Sequence, residues 1–258
     1  MKITILTLFP EFFESFKNNS IIARAISKGV IQLEFVNIRD FTKDKYGRVD
    51  TPPIGGGAGL VMKCQPVVDA IRKYKTENSK VILLSPIGKT YNQKIAREYA
   101  EKHNDLIIVC GHYEGLDARI NNYVDEIISI GDYILTGGEI AAMAITDSVI
   151  RLLDGAITEQ SIVEESFEND LLEYPQFTEP QNFEGIEVPE ILYTGNHEVI
   201  KKWRQKQSLV LTRKYRKDLF DKYTLTKQDK KLLEEFDSGI TPKRETVALE
   251  KWRKFNKK

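Results

Sequence analysis

Along the first 150 or so residues, apolar positions alternate between two kinds of run. Short apolar stretches predict strands over residues 3–8, 31–38, 81–84 and 106–109. Between them, helical periodicity predicts helices over residues 10–28, 66–75, 91–102 and 139–153, the last opened by the Gly137-Gly138 pair. Strands that alternate with helices imply an α/β fold with a largely parallel sheet. From residue 154 to about 189 the periodicity lapses and Pro175, Pro180 and Pro189 interrupt the chain, which predicts an extended acidic linker with short ordered pieces. Beyond it, residues 198–216 and 227–236 read as Lys-rich helices of a small helical domain. The expected division is therefore 1–160, 161–190 and 191–258, with no internal repeat or low-complexity tract.

Composition narrows the class. A hydrophobic content of 41% excludes a disordered chain and suffices for one or two cores. The opening MKITILTLF has no basic leader region, and no apolar run reaches the roughly 18 residues of a membrane span, so a cytoplasmic protein is expected. Cys64 and Cys110 are too few for a disulfide scaffold or a Cys-based zinc site.

The formal net charge is zero, but it is partitioned along the chain. Residues 1–153 carry 19 basic and 18 acidic side chains, residues 154–200 carry none and 12, and residues 201–258 carry 19 and 8, a net +11. With Trp203, Tyr215, Tyr223, Trp252 and Phe255 interleaved, the last segment has the electrostatic and stacking character of a nucleic-acid surface. Solvated helix faces over an ordinary aromatic core would give similar counts, and both readings stay open at this level.

Candidate chemistry gathers in three glycine-bearing segments, each near a predicted strand end: SPIGK (85–89), CGHYEG (110–115) and SIGDYILTGGE (129–139). In an open α/β sheet the carboxyl edge is where ligands bind. Gly88, Lys89 and Thr90 imitate the end of a phosphate loop, but Leu83 stands where that motif needs glycine, which argues against a nucleotide hydrolase. The GGGAG run at 55–59 lies in a long polar loop, the kind that tends to be functional. His103, His112 and His197 lack metal-ligand spacing, so no metal site is assigned, and no nucleophile motif is present.

Taken together and in order, LFPEFF, RDFT, GGGAG, LSPIGK, CGHYEGLDAR, SIGDYILTGGE, LLEYPQFTEP and GNHEVIKKWR resemble one family, the bacterial tRNA (guanine-N1)-methyltransferases of the TrmD type. The resemblance implies a SPOUT-type parallel sheet with a deep trefoil knot that binds S-adenosyl-L-methionine, an acidic lid, and a basic helical tRNA-binding tail. It further implies transfer of the donor methyl to N1 of the guanosine 3′-adjacent to the anticodon by a homodimer that shares its active sites, with Mg2+ dependence suggested.

Carried over by position, the family's catalytic Arg falls on Arg151 and its acid on Glu165, where Asp is usual; Glu164 is a neighbouring rival. The cofactor positions fall on Leu84, Ser85, Pro86 and Gly88; on Gly111, Tyr113, Glu114 and Gly115; and on Ile130, Gly131, Asp132, Tyr133, Ile134, Leu135, Gly137 and Gly138. Ile87, His112 and Ala58 depart from the family's common Gln, Arg and Pro. Gly55, Gly56, Gly57, Lys201, Lys202, Arg204, Arg213 and Arg216 are the expected tRNA contacts, with Lys206 and Lys214 beside them. A non-catalytic RNA-binding relative and a related ribosomal-RNA methyltransferase remain as alternatives.

Overall fold

A computed structural model describes residues 1–157 and 165–256. Glu164 therefore lies outside the described residues. The chain forms two compact units, Met1–Glu159 and Gln160–Lys258.

The first unit is built on five strands: β1 (Lys2–Thr7), β2 (Gln32–Asn37), β5 (Ser79–Thr90), β6 (Asp105–Val109) and β7 (Glu126–Ser129). They lie in the order β2-β1-β6-β5-β7, and every pairing is parallel. A two-stranded antiparallel pair, β3 (Asp50–Thr51) and β4 (Val61–Met62), lies outside this sheet. The central strands are apolar on both faces because both are covered. Ile3, Ile5, Ile82, Leu84, Leu106 and Ile108 join one core, while Leu6, Val81, Leu83, Ile107 and Val109 join the other. The first core is closed by helices α2 (Ser20–Ser27), α4 (Gln93–Lys102) and α5 (Glu139–Ile150), through Ile22, Ile95, Tyr99, Ile145 and Val149; the second is closed by α3 (Cys64–Tyr74), through Val67, Val68 and Ile71.

Three local expectations change. The single helix over residues 10–28 is broken into a 3-10 turn (Pro10–Phe13), α1 (Glu14–Asn18) and α2, because Asn19 is extended and Ser20 takes a positive φ of 55°. Strand β5 runs through the SPIGK segment to Thr90. Strand β7 carries no signal in the sequence: four residues are too few to show a period.

The second unit carries α6 (His197–Tyr215), α7 (Lys217–Phe220), α8 (Lys227–Asp237) and α9 (Lys243–Asn256), together with a short hairpin of β8 (Asn182–Phe183) and β9 (Ile186–Glu187). Leu171 from the acidic stretch packs with Leu209, Leu232 and Leu233 in one small core. A second core joins Ile191, Val199, Trp203 and Ala248. Helix α8 starts with a capping box in which Thr226 and Asp229 satisfy each other's backbone N–H groups.

Candidate functional site

The sheet order makes β6, β5 and β7 neighbours, so the three glycine-bearing segments meet at one carboxyl edge. Leu84 and Lys89 both pair with Ile128, so residues 85–88 leave the ladder as an outward loop and return. The return needs glycine: a Cβ on Gly88 would sit 2.5 Å from the Ile128 nitrogen and 2.6 Å from the Ile127 carbonyl carbon.

The second loop, after β6, is stitched to the strand β4 region. Leu60 O accepts from Glu114 N at 3.0 Å, and Gly115 O accepts from Met62 N at 2.9 Å. Arg39 reaches the Tyr113 hydroxyl at 3.4 Å. The third loop crosses the second. His112 and Gly137 form an antiparallel bridge, and Gly138 N donates to Gly111 O at 2.8 Å. A Cβ on Gly138 would lie 2.9 Å from the Cys110 Cα, so these two backbones leave no room for a side chain. Burial pushes the Cys110 thiol well up, which keeps it protonated and inert beside the loops.

Large apolar side chains stand in solvent on these loops: Ile87 is 74% exposed, Tyr133 54% and Ile134 82%. The buried Nδ1 of His112 has no hydrogen-bond partner among the described residues. Close-packed glycine backbone, exposed apolar groups and an orphaned buried nitrogen together suit a ligand that is partly aromatic and aliphatic and partly polar. S-adenosyl-L-methionine has that character, so the residues present fit it.

Arg151 is the C-cap residue of α5, at the negative end of the helix dipole. Glu165 belongs to the other unit, in a cleft lined also by Asn169, Tyr174, Phe177, Lys201 and Arg204. The structure thus brings Glu165 together with two of the expected tRNA contacts, and the Arg204 guanidinium lies 4.5 Å from the Tyr174 ring centroid. The other cations differ from one another. Lys202 is 3.9 Å from Glu198, Arg213 forms a forked pair with Asp237 at 2.6 and 3.0 Å, and Arg216 pairs with Asp218 at 2.7 Å. Lys206 corrects an expectation. It is only 7% exposed and bonds Glu245 at 2.7 Å inside the unit, so it is a structural ion pair and not a surface for phosphate. Gly55, Gly56 and Gly57 lie in the exposed loop that joins β3 to β4.

Sequence reasoning did not find Tyr174 and Phe177 as cleft walls, nor Thr7 and Glu139 behind the loops. The YPQF and TGGE motifs contain three of these four residues, but contact across the fold has no sequence period.

A parallel α/β sheet whose glycine loops suit a donor, joined to a helical unit with a cationic and aromatic cleft, describes an enzyme that modifies nucleic acid. The family described as "tRNA (Guanine-1)-methyltransferase TrmD" matches residues 1–222. A tRNA (guanine-N(1)-)-methyltransferase of Clostridium botulinum (strain Langeland) is 55% identical over 242 residues, covering 93% of this chain and all of that relative. The enzyme of the same name from Malacoplasma penetrans is 57% identical over 223 residues, covering 86% of this chain and 98% of the relative. These matches put the chain among the methyltransferases that modify tRNA. It belongs to the tRNA (guanine-N1)-methyltransferase family, which sets aside the ribosomal-RNA and non-catalytic alternatives.

Proposed function

We propose that the chain transfers the methyl group of S-adenosyl-L-methionine to N1 of the guanosine 3′-adjacent to the anticodon. The observation that carries the donor assignment is the meeting of the three loops at one sheet edge, with Gly88 and Gly138 at backbone contact. The donor supplies an electrophilic methyl on a sulfonium, whose C–S electron pair leaves with sulfur as the C–N bond forms. The rest falls to the protein. N1 of guanine carries a proton at neutral pH, and the Glu165 carboxylate takes it as the methyl arrives. Arg151 holds the negative charge that develops on O6.

The Glu165 cleft suits the RNA side of the reaction: Tyr174 and Phe177 offer stacking faces, and Lys201 and Arg204 offer phosphate partners. The SPOUT threading with its trefoil knot is part of the same reading, supported by the crossing of the second and third loops. So are a cytoplasmic homodimer with shared active sites and a supporting role for Mg2+, both on family grounds. Gel filtration that returned a monomer would contradict the dimer, and activity unaffected by EDTA would remove the ion.

The test is methyl transfer from labelled donor to a tRNA transcript bearing G next to the anticodon, beside one bearing A there. Transfer to the G transcript alone is expected. Glu165→Gln and Arg151→Ala should each lower kcat by about a hundredfold or more. Undiminished transfer by Glu165→Gln would move the base to another group.

A further inference from the structure

We infer that Glu139 is a positioning residue for the methyl-donor site: its buried carboxylate ties the end of β1 to the point where the second and third loops cross. The inference rests on the assignment of those loops to the donor.

Glu139 opens α5 and is only 5% exposed. A buried carboxylate is costly unless hydrogen-bonded, and the positive end of the helix offsets part of that cost. Its Oε1 accepts a hydrogen bond from Thr7 Oγ1 at 2.8 Å, and Thr7 Oγ1 accepts from Phe9 N at 3.0 Å. Thr7 is fully buried at the end of β1, so this chain of bonds is anchored in the sheet. The other oxygen, Oε2, fills the space where Gly137 would carry a Cβ. His112 Nδ1 borders the same space, 2.6 Å from that Cβ position. The His112 ring is itself held between Phe9, at 4.9 Å, and Tyr113, at 4.8 Å.

Thr7 at the end of β1, Phe9 just beyond it, His112 from the second loop and Gly137 from the third therefore gather around one carboxylate. Moving it changes the separation of the two loops. The predicted signature is selective: donor binding suffers and tRNA binding does not.

Thr7→Val keeps the shape of the side chain and removes its hydrogen bond; Glu139→Ala removes the whole strut; Glu139→Gln keeps an oxygen for Thr7. Calorimetric titration with S-adenosylhomocysteine, the demethylated product of the donor, reads affinity independently of turnover. Thr7→Val and Glu139→Ala should weaken it about tenfold or more and raise the donor KM in step, leaving the tRNA KM within about twofold, while Glu139→Gln should recover most of the loss. Unchanged product affinity in Thr7→Val and Glu139→Ala, both still folded by circular dichroism, would overturn the role given to Glu139. So would an equal rise in both KM values. Amide exchange of the wild-type protein separates this from the underlying reading: product binding should protect residues 85–88, 110–115 and 130–138. Absence of that protection would overturn the loop assignment itself.

Discussion

Gly138 shows how far a single residue's environment constrains this protein. With Cys110 Cα 2.9 Å, and Cys110 Cβ and Gly111 N 3.1 Å, from the Cβ it lacks, Gly138→Ala pushes against backbone and a Cβ fixed to it, and no flexible side-chain end can give way. The expected result is a folded protein with product affinity lowered about tenfold or more, read by the same calorimetric titration. Asp229 is constrained by hydrogen bonds. Burial raises its pKa, but bonds from Thr226, Gln205 and Tyr223 outweigh that and hold it below the usual carboxylate range. Asp229→Ala removes the Asp229 half of the α8 capping box and leaves those donors unpaired, and should lower the stability of the carboxyl-terminal unit by about 2–3 kcal/mol in urea unfolding. Asp44 gives a pH prediction. Its bonds from Arg48, at 3.1 Å, and from the Tyr46 amide, at 2.9 Å, hold its pKa down at about 2. A depressed carboxyl contributes stability above its unfolded pKa and loses it as pH falls through the folded one, so the loop around Asp44 should loosen between about pH 4 and pH 2. Carboxyl NMR titration checks this, and an Asp44 midpoint near 4 would contradict it.

At the scale of elements, α6 carries two kinds of lysine that its sequence does not distinguish. Lys201 is exposed at the cleft, whereas Lys206, just over one turn further on, is buried against Glu245 of α9. The pair bolts α9 to α6, with Tyr193 stacked on Trp252 at 6.2 Å and Arg253 bonded to Glu190. Lys206→Met would strand the Glu245 charge, with Arg244 at 3.7 Å its one other ion-pair partner among the described residues. A loss of about 3 kcal/mol in urea unfolding is expected, with the amino-terminal unit unaffected. A neutral result would mean that Arg244 takes over the partnership. Strand β5 teaches a related point. Its apolar run ends at Leu84, but the strand continues because β7 lies beside it, and a run of four apolar residues cannot announce a neighbour 40 residues away.

For the whole molecule, the charge partition becomes a binding prediction. tRNA affinity should fall steeply with salt, and Lys201→Ala should reduce the slope of log affinity against log salt by about one phosphate contact. Arg213→Ala should change that slope less, since Asp237 already holds its guanidinium. An affinity indifferent to salt would remove the basic tail as the tRNA surface. The parallel α/β class, the glycine segments and the family were legible in the sequence because each is a local pattern: a period, a turn residue or a run of motifs. Glu139 and Thr7 are 132 positions apart, Lys206 and Glu245 are 39 apart, and no period links either pair. The linear order of residues determined which segments are strands, helices and glycine turns, since backbone preference and apolar spacing act over a few residues. Only the tertiary structure decided which turns meet and which charges are buried, because close packing and desolvation depend on what lies across the fold.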